Sequence, residues 1–182
     1  LVGSEMCIRD RLGSMRTIIL TFFGGLTLLT SLGISAGVTG TTSLSGIIHS
    51  PEWAHHPALL SVIAVLIATS ACTKSAQFPF HFWLPEAMAA DTPVSAFLHA
   101  AAVVKAGIYL LLRFSALFHD DAWWRCLLII VGMFTAIMAA LFALQKNDLK
   151  KLTAYSTVSQ LGWIVYTIGI GTPLAMAAAV VH

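Results

Sequence analysis

The stretch Thr73-Lys74-Ser75-Ala76-Gln77-Phe78-Pro79-Phe80-His81-Phe82-Trp83-Leu84-Pro85-Glu86-Ala87-Met88 decides how this chain is read. It places a lysine inside an apolar segment and a proline five residues further on. At mid-depth in a bilayer a lysine costs about 2.5–3.5 kcal/mol on insertion scales, so Lys74 needs a partner or a water-lined cavity. Pro79 has no amide hydrogen and breaks a helix, which a membrane tolerates only where protein or water satisfies the carbonyls set free. A charge beside a helix break is how transporters build ion sites. The competing reading of Lys74 is a side chain that snorkels to the interface, which applies if the helix ends at Pro79.

The rest of the chain supplies the membrane. Of 182 residues, 58% are hydrophobic and 10% are charged, with a mean hydropathy of +0.85. Soluble domains carry about 25% charge. The fold class that follows is all-α and integral to the membrane: a polytopic helix bundle, here a fragment, with a proline-broken transmembrane helix. A net charge of +2, thinly spread, leaves no nucleic-acid footprint. Cys7, Cys72 and Cys126 form no CxxC or Cys/His cluster and read as small buried hydrophobes. The sequence contains no P-loop, GxGxxG or haem and cluster ligand set, so neither cofactor nor metal is expected.

Residues 1–14 carry Glu5, Arg9, Asp10 and Arg11 without periodicity and read as a scar of cloning or sequence assembly, or as disordered. Residues 15–182 read as part of a transmembrane domain, with spans at 16–38, 57–90 (broken), 93–117, 126–145 and 151–170, and another starting at 174–182. Ala58 to Cys72 is too short for a bilayer that needs about 20 residues. Continued to about Ala90 it becomes one broken helix with Lys74 near its middle. Thr69, Ser70, Thr73, Ser75 and Gln77 crowd the same region, which a lipid-facing helix would not carry. His49, His55 and His56 lie in the loop before it, in no zinc-binding pattern, and read as solvated. Asp91-Thr92-Pro93 is a helix start. The span that follows holds His99 and Lys105, about 120° apart on an ideal helix. Trp123-Trp124 mark a boundary turn. Residues 127–144 carry no charge and read as plain bundle or lipid contact. Thr153, Ser156, Gln160, Trp163 and Thr167 form a stripe that should face other helices. Arg16, Lys146, Lys150 and Lys151 on one side, against Arg113 and Arg125 on the other, fit the positive-inside bias.

Desolvation disfavours a charged lysine and a nearby carboxylate restores it, so a lysine between these effects can take and release a proton. A line of lysines and histidines joined by water would pass protons across the membrane centre, and histidine titrates in the right range.

Several blocks in order carry a family resemblance: Lys74-Ser75-Ala76-Gln77-Phe78-Pro79 with Trp83-Leu84-Pro85 and Ala87-Met88, Thr92-Pro93-Val94-Ser95-Ala96 with His99, Lys105-Ala106-Gly107-Ile108-Tyr109, and Asp148-Leu149-Lys150 with Ala154-Tyr155-Ser156-Thr157-Val158-Ser159-Gln160-Leu161-Gly162. In these blocks the sequence resembles the antiporter-like membrane subunits shared by Mrp-type multisubunit Na⁺/H⁺ antiporters and respiratory complex I. The resemblance implies a bundle of about fourteen helices built from two inverted repeats. It implies a helix break at Pro79 and a central row of lysines for proton translocation. On that pattern Lys74 matches the lysine of the broken helix and Lys105 the connecting lysine of the next. His99 matches a polar residue of the path, and Lys150 a basic residue near it. The glutamate partner of Lys74 and a second broken helix would lie outside these 182 residues.

Phe80 to Pro85 and Val104 to Gly107 resemble the large A subunit of Mrp antiporters most, while Asp91 departs from the proline common before Thr-Pro-Val-Ser. The implied function is that of a transporter component, not an enzyme, exchanging Na⁺ or another monovalent cation for protons. Its partners would be the lipid bilayer and the other membrane subunits of the assembly, in the cell membrane of a prokaryote. A proton-translocating subunit of complex I or of a membrane hydrogenase is the alternative, and a non-conducting scaffold the third reading.

Overall fold

The computed structural model describes residues 2–88, 103–118 and 121–181, the first nine of these and Val103 by backbone alone. The described residues form eight α-helices and two short 3₁₀ turns, and no strand. Helix α1 is Val2–Thr39, α2 Leu44–Ile48, α3 Pro57–Lys74, α4 Trp83–Ala87, α5 Val103–Ser115, α6 Ala122–Leu144, α7 Leu149–Ile170 and α8 Pro173–Val181. Three stretches are long and apolar enough to cross a membrane: Arg11–Thr39, Pro57–Lys74 and Ala122–Leu144. The all-α membrane architecture expected from composition is the one observed.

Helix α1 packs on α3 and α4, α3 on α5, α4 and α5 on α7, α6 on α7, and α7 on α8. The α6–α7 pair is the most extensive contact, and glycine makes it possible. A Cβ on Gly132 would lie 2.6 Å from the Tyr166 amide nitrogen, and one on Gly162 2.7 Å from that of Ala136. Each helix thus occupies the space where the other's side chain would be, which is how helices approach closely without a hydrophobic drive between them. Ser159 adds a hydrogen bond from its hydroxyl to the Ala136 carbonyl, 2.9 Å.

The structure departs from the sequence reading in several places. Helix α1 starts at Val2, so residues 2–14 are helical rather than without regular structure. A helix already running from Met15 extends backwards at little cost, since propagation adds one hydrogen bond for each residue fixed. Helix α6 starts at Ala122 and takes in Trp123 and Trp124, where the sequence predicts a turn. Asp121 is extended at the N-cap position, and Trp124 is buried with its ring 4.7 Å from that of Phe118. The connection from α1 to α3 is not plain loop: the Trp53 indole donates to the Ile47 carbonyl at 2.6 Å, and both residues are buried. His49, His55 and His56 on it are exposed. On α7 the stripe Thr153, Ser156, Gln160 and Trp163 is exposed among the described residues, and the residues that meet α6 include Ser159, Gly162, Tyr166 and Gly169. Two glycines and a serine at that face let the backbones approach.

Candidate functional site

Helix α3 does not run on to the proline. Its last residue is Lys74, five positions earlier, so the lysine closes the first helical part of the broken stretch and stands beside the break. The chain leaves through a Schellman turn: Ala76 takes the left-handed conformation at φ 50°, and the Gln77 amide reaches back to the Cys72 carbonyl at 2.9 Å. Alanine in that region costs about 1–2 kcal/mol, which is why glycine is the usual residue there. The peptide bond from Phe78 to Pro79 is cis. A 3₁₀ turn, Phe80–Phe82, then leads into α4. Proline also disfavours the α region for Phe78 before it, so the helix ends upstream of Pro79.

The polar groups freed by the break are almost all taken. The Trp83 indole, itself fully buried, donates to the Thr73 carbonyl at 2.9 Å. The Gln77 side-chain amide donates to the Ser75 carbonyl at 3.1 Å, replacing the amide hydrogen that Pro79 lacks. The Phe78 N–H goes to the hydroxyl oxygen of Thr135 on α6 at 3.1 Å. Ser70, at the turn before, donates to the Gly24 carbonyl of α1 at 2.7 Å and ties the two helices together. Ser70, Thr73, Ser75, Gln77 and Thr135 are all buried, so the polar cluster seen in the sequence is internal.

Lys74 itself is half-buried, and no ion pair or hydrogen bond joins its ammonium to another described residue. It stands at the carbonyl end of α3, where a helix carries the equivalent of about half a negative charge. Lys105 lies on α5, near the start of its described range. Two residues on, a Cβ at Gly107 would meet the Ala71 carbonyl oxygen at 2.7 Å and the Ser75 nitrogen at 3.0 Å. The α3–α5 contact therefore brings the backbones of both lysines to within about one helical turn of the same point. The Lys105 side chain is exposed and lines a cleft of about 810 Å³ between α5, α7 and α8, with Tyr109, Arg113, Leu161, Met176 and Val180. The Arg113 Nε–H donates to the Tyr109 hydroxyl at 3.1 Å. Lys150 is exposed in the first turn of α7, on a different element from either lysine. Pro79 is exposed within the break. His99 falls outside the described residues.

Two residues that the sequence does not single out belong to this region. His81 is buried, its ring 4.0 Å from that of Phe82, and among the described residues its Nδ1 has no hydrogen-bond partner. Glu86 on α4 accepts from Arg16 of α1 at 2.8 Å, while its other carboxylate oxygen is buried with no partner among the described residues. A histidine between phenylalanines in an aromatic run gives no periodic signal, and the Arg16 pair joins residues far apart in the chain.

The family described as "NADH:quinone oxidoreductase/Mrp antiporter, TM" matches residues 9–182, starting inside the stretch that reads as foreign in the sequence. The chain belongs to this family. Among curated relatives of this NADH:quinone oxidoreductase/Mrp antiporter family, the chain is 43% identical over 170 residues to the A/B subunit of a probable K(+)/H(+) antiporter of Rhizobium meliloti, covering 93% of this chain and 17% of that protein. It is 43% identical over 160 residues to the A subunit of the Na(+)/H(+) antiporter of Alkalihalophilus pseudofirmus, covering 88% and 20%. Among solved structures, a chain of the Mrp complex from Dietzia sp. DQ12-45-1b superposes with a TM-score of 0.90 at 60% identity, over 93% of this chain and 19% of that one. A chain of the membrane-bound sulfane sulfur reductase, an archaeal respiratory membrane complex, gives 0.84 at 30%, over 93% and 35%. The chain thus spans about a fifth of the length of the curated relatives it matches. Its resemblance to the antiporter-like membrane subunits, those of Mrp antiporters among them, holds in sequence and in fold.

Proposed function

We propose that this chain is a proton-carrying portion of the A subunit of an Mrp-type cation/proton antiporter in a prokaryotic cell membrane. Residues 15–182 form part of its translocating domain. Lys74 and Lys105 act as proton carriers, His99 contributes a polar group to the path, and Lys150 a basic group near it. Pro79 keeps open the helix that bears Lys74. The observation that carries the reading is the end of α3 at a half-buried lysine whose neighbouring backbone groups are held by buried side chains. An ammonium without a carboxylate partner among the described residues awaits one from a further helix or from water. The other partners are the remaining membrane subunits of the assembly, lipid, and Na⁺ or another monovalent cation. The relatives' names favour both Na⁺ and K⁺.

The deciding experiment is Lys74→Ala in the full-length protein within its complex, with Na⁺-dependent proton movement followed in everted vesicles. Transport should be lost while the complex still assembles. Unchanged transport with normal assembly would sink the carrier role. A second reading, a proton-translocating component of complex I or a related respiratory membrane complex, is favoured by the 0.84 superposition on the sulfur reductase complex. Transport driven by an imposed Na⁺ gradient without any electron donor separates the two.

A further inference from the structure

Helix α6 is the segment whose sequence gives least reason to look for function, since no charge falls between Leu127 and Leu144. Yet it sends one side chain into the break of α3. Thr135 is fully buried; its hydroxyl donates to the Val131 carbonyl of its own helix at 2.6 Å. That bond uses the hydroxyl's only hydrogen and turns the oxygen lone pairs outward. They accept the Phe78 N–H at 3.1 Å. In an unbroken helix the Phe78 N–H would serve the carbonyl four residues back, which is that of Lys74. Among the described residues no other donor replaces it, so the Lys74 carbonyl is left open beside the lysine's own side chain.

We propose that Thr135 is a positioning residue for the Lys74 site: by holding the Phe78 N–H away from the Lys74 carbonyl, it fixes the course of the chain just beyond the end of α3 and keeps that carbonyl open. The inference rests on the transport reading of Lys74. Proline removes one donor from the helix but does not say where the preceding amide goes. Thr135 does, and its place is set by the close crossing of α6 on α7 through Gly132 and Gly162.

The test uses the full-length protein in its complex. Thr135→Val keeps the shape and removes the acceptor, and Thr135→Ser keeps the acceptor. Thr135→Val should lower the maximal rate of Na⁺-driven proton movement roughly tenfold with little change in the half-saturating Na⁺ concentration, and should speed amide exchange of the peptide containing Phe78. Thr135→Ser should restore both. If the valine variant fails to assemble, Thr135→Ala, which leaves room for water, is measured in its place. Wild-type rate and wild-type exchange in the valine or alanine variant would overturn the proposal, as would a serine variant as impaired as the valine one. Failure of both valine and alanine variants to assemble would overturn it in favour of a purely structural role. Loss of transport in Lys74→Ala with full transport in Thr135→Val would remove this inference and leave the transport reading intact. Transport surviving Lys74→Ala would remove the transport reading, and the exchange rate would then alone decide whether Thr135 holds the break.

Discussion

The α6–α7 pair and the α3–α4 break lie side by side and solve opposite problems. In the pair, two regular helices interlock backbone to backbone at Gly132 and Gly162. In the break, the repeat stops at Lys74, and the freed groups of Thr73, Ser75 and Phe78 find partners of their own: an indole, a carboxamide, a hydroxyl. The pair is stable because nothing in it needs a special residue except small ones. The break is stable because three separate side chains supply what the helix withdrew. Irregular backbone at membrane depth persists only inside such protein-lined surroundings. On the proposed transport reading, the irregular region carries the working lysine, and the regular one supports it through Thr135.

Substitutions can push each region to failure. The largest effect is expected from Gly162→Leu, whose side chain would begin within 2.7 Å of the Ala136 amide nitrogen and drive α6 off α7. A loss of about 3 kcal/mol is anticipated, read as a collapse in the amount of folded protein and in its melting temperature. If the variant melts like wild type, the two backbones do not interlock as described. Trp83→Phe probes the other region. It keeps the aromatic bulk and orphans the buried Thr73 carbonyl, for about 1–3 kcal/mol. Comparing the two by transport sharpens the contrast: Trp83→Phe should depress transport in proportion more than it lowers yield, and Gly162→Leu should lower both together. Least is expected from Arg16→Gln. The Arg16 side chain is 64% exposed and that of Glu86 32%, and exposed pairs contribute about 0–1 kcal/mol. A melting shift of more than a few degrees for Arg16→Gln would mean that α1 clamps the far side of the break more firmly than its exposure allows.

The sequence announces the break through Pro79 and the polar cluster, and it announces the helices on either side through their apolar length. It does not announce where the helix stops, because the residue that adopts the left-handed turn is Ala76 and not the glycine that normally marks a C-cap. Sequence alone therefore does not show that the first helical part of the broken stretch closes at Lys74 itself. Helix α6 reads as inert because a threonine among apolar residues is common in membrane helices, where its hydroxyl can bond its own backbone. Only the packing shows that Thr135 does this and still has an acceptor to spare. The polar stripe of α7 is visible, but the face that meets α6 lies beside it and is marked by Ser159, Gly162 and Gly169, since close approach rewards small residues.

The mutual embedding of Gly132 and Gly162 carries a mechanical consequence. Two rods whose backbones notch into one another cannot slide lengthwise without first separating, so α6 and α7 displace as a single stiff beam. The Thr135 hydroxyl is therefore a datum fixed to that beam and not to α3. However far the peptide at Phe78 travels, the point to which it returns is set by its neighbours.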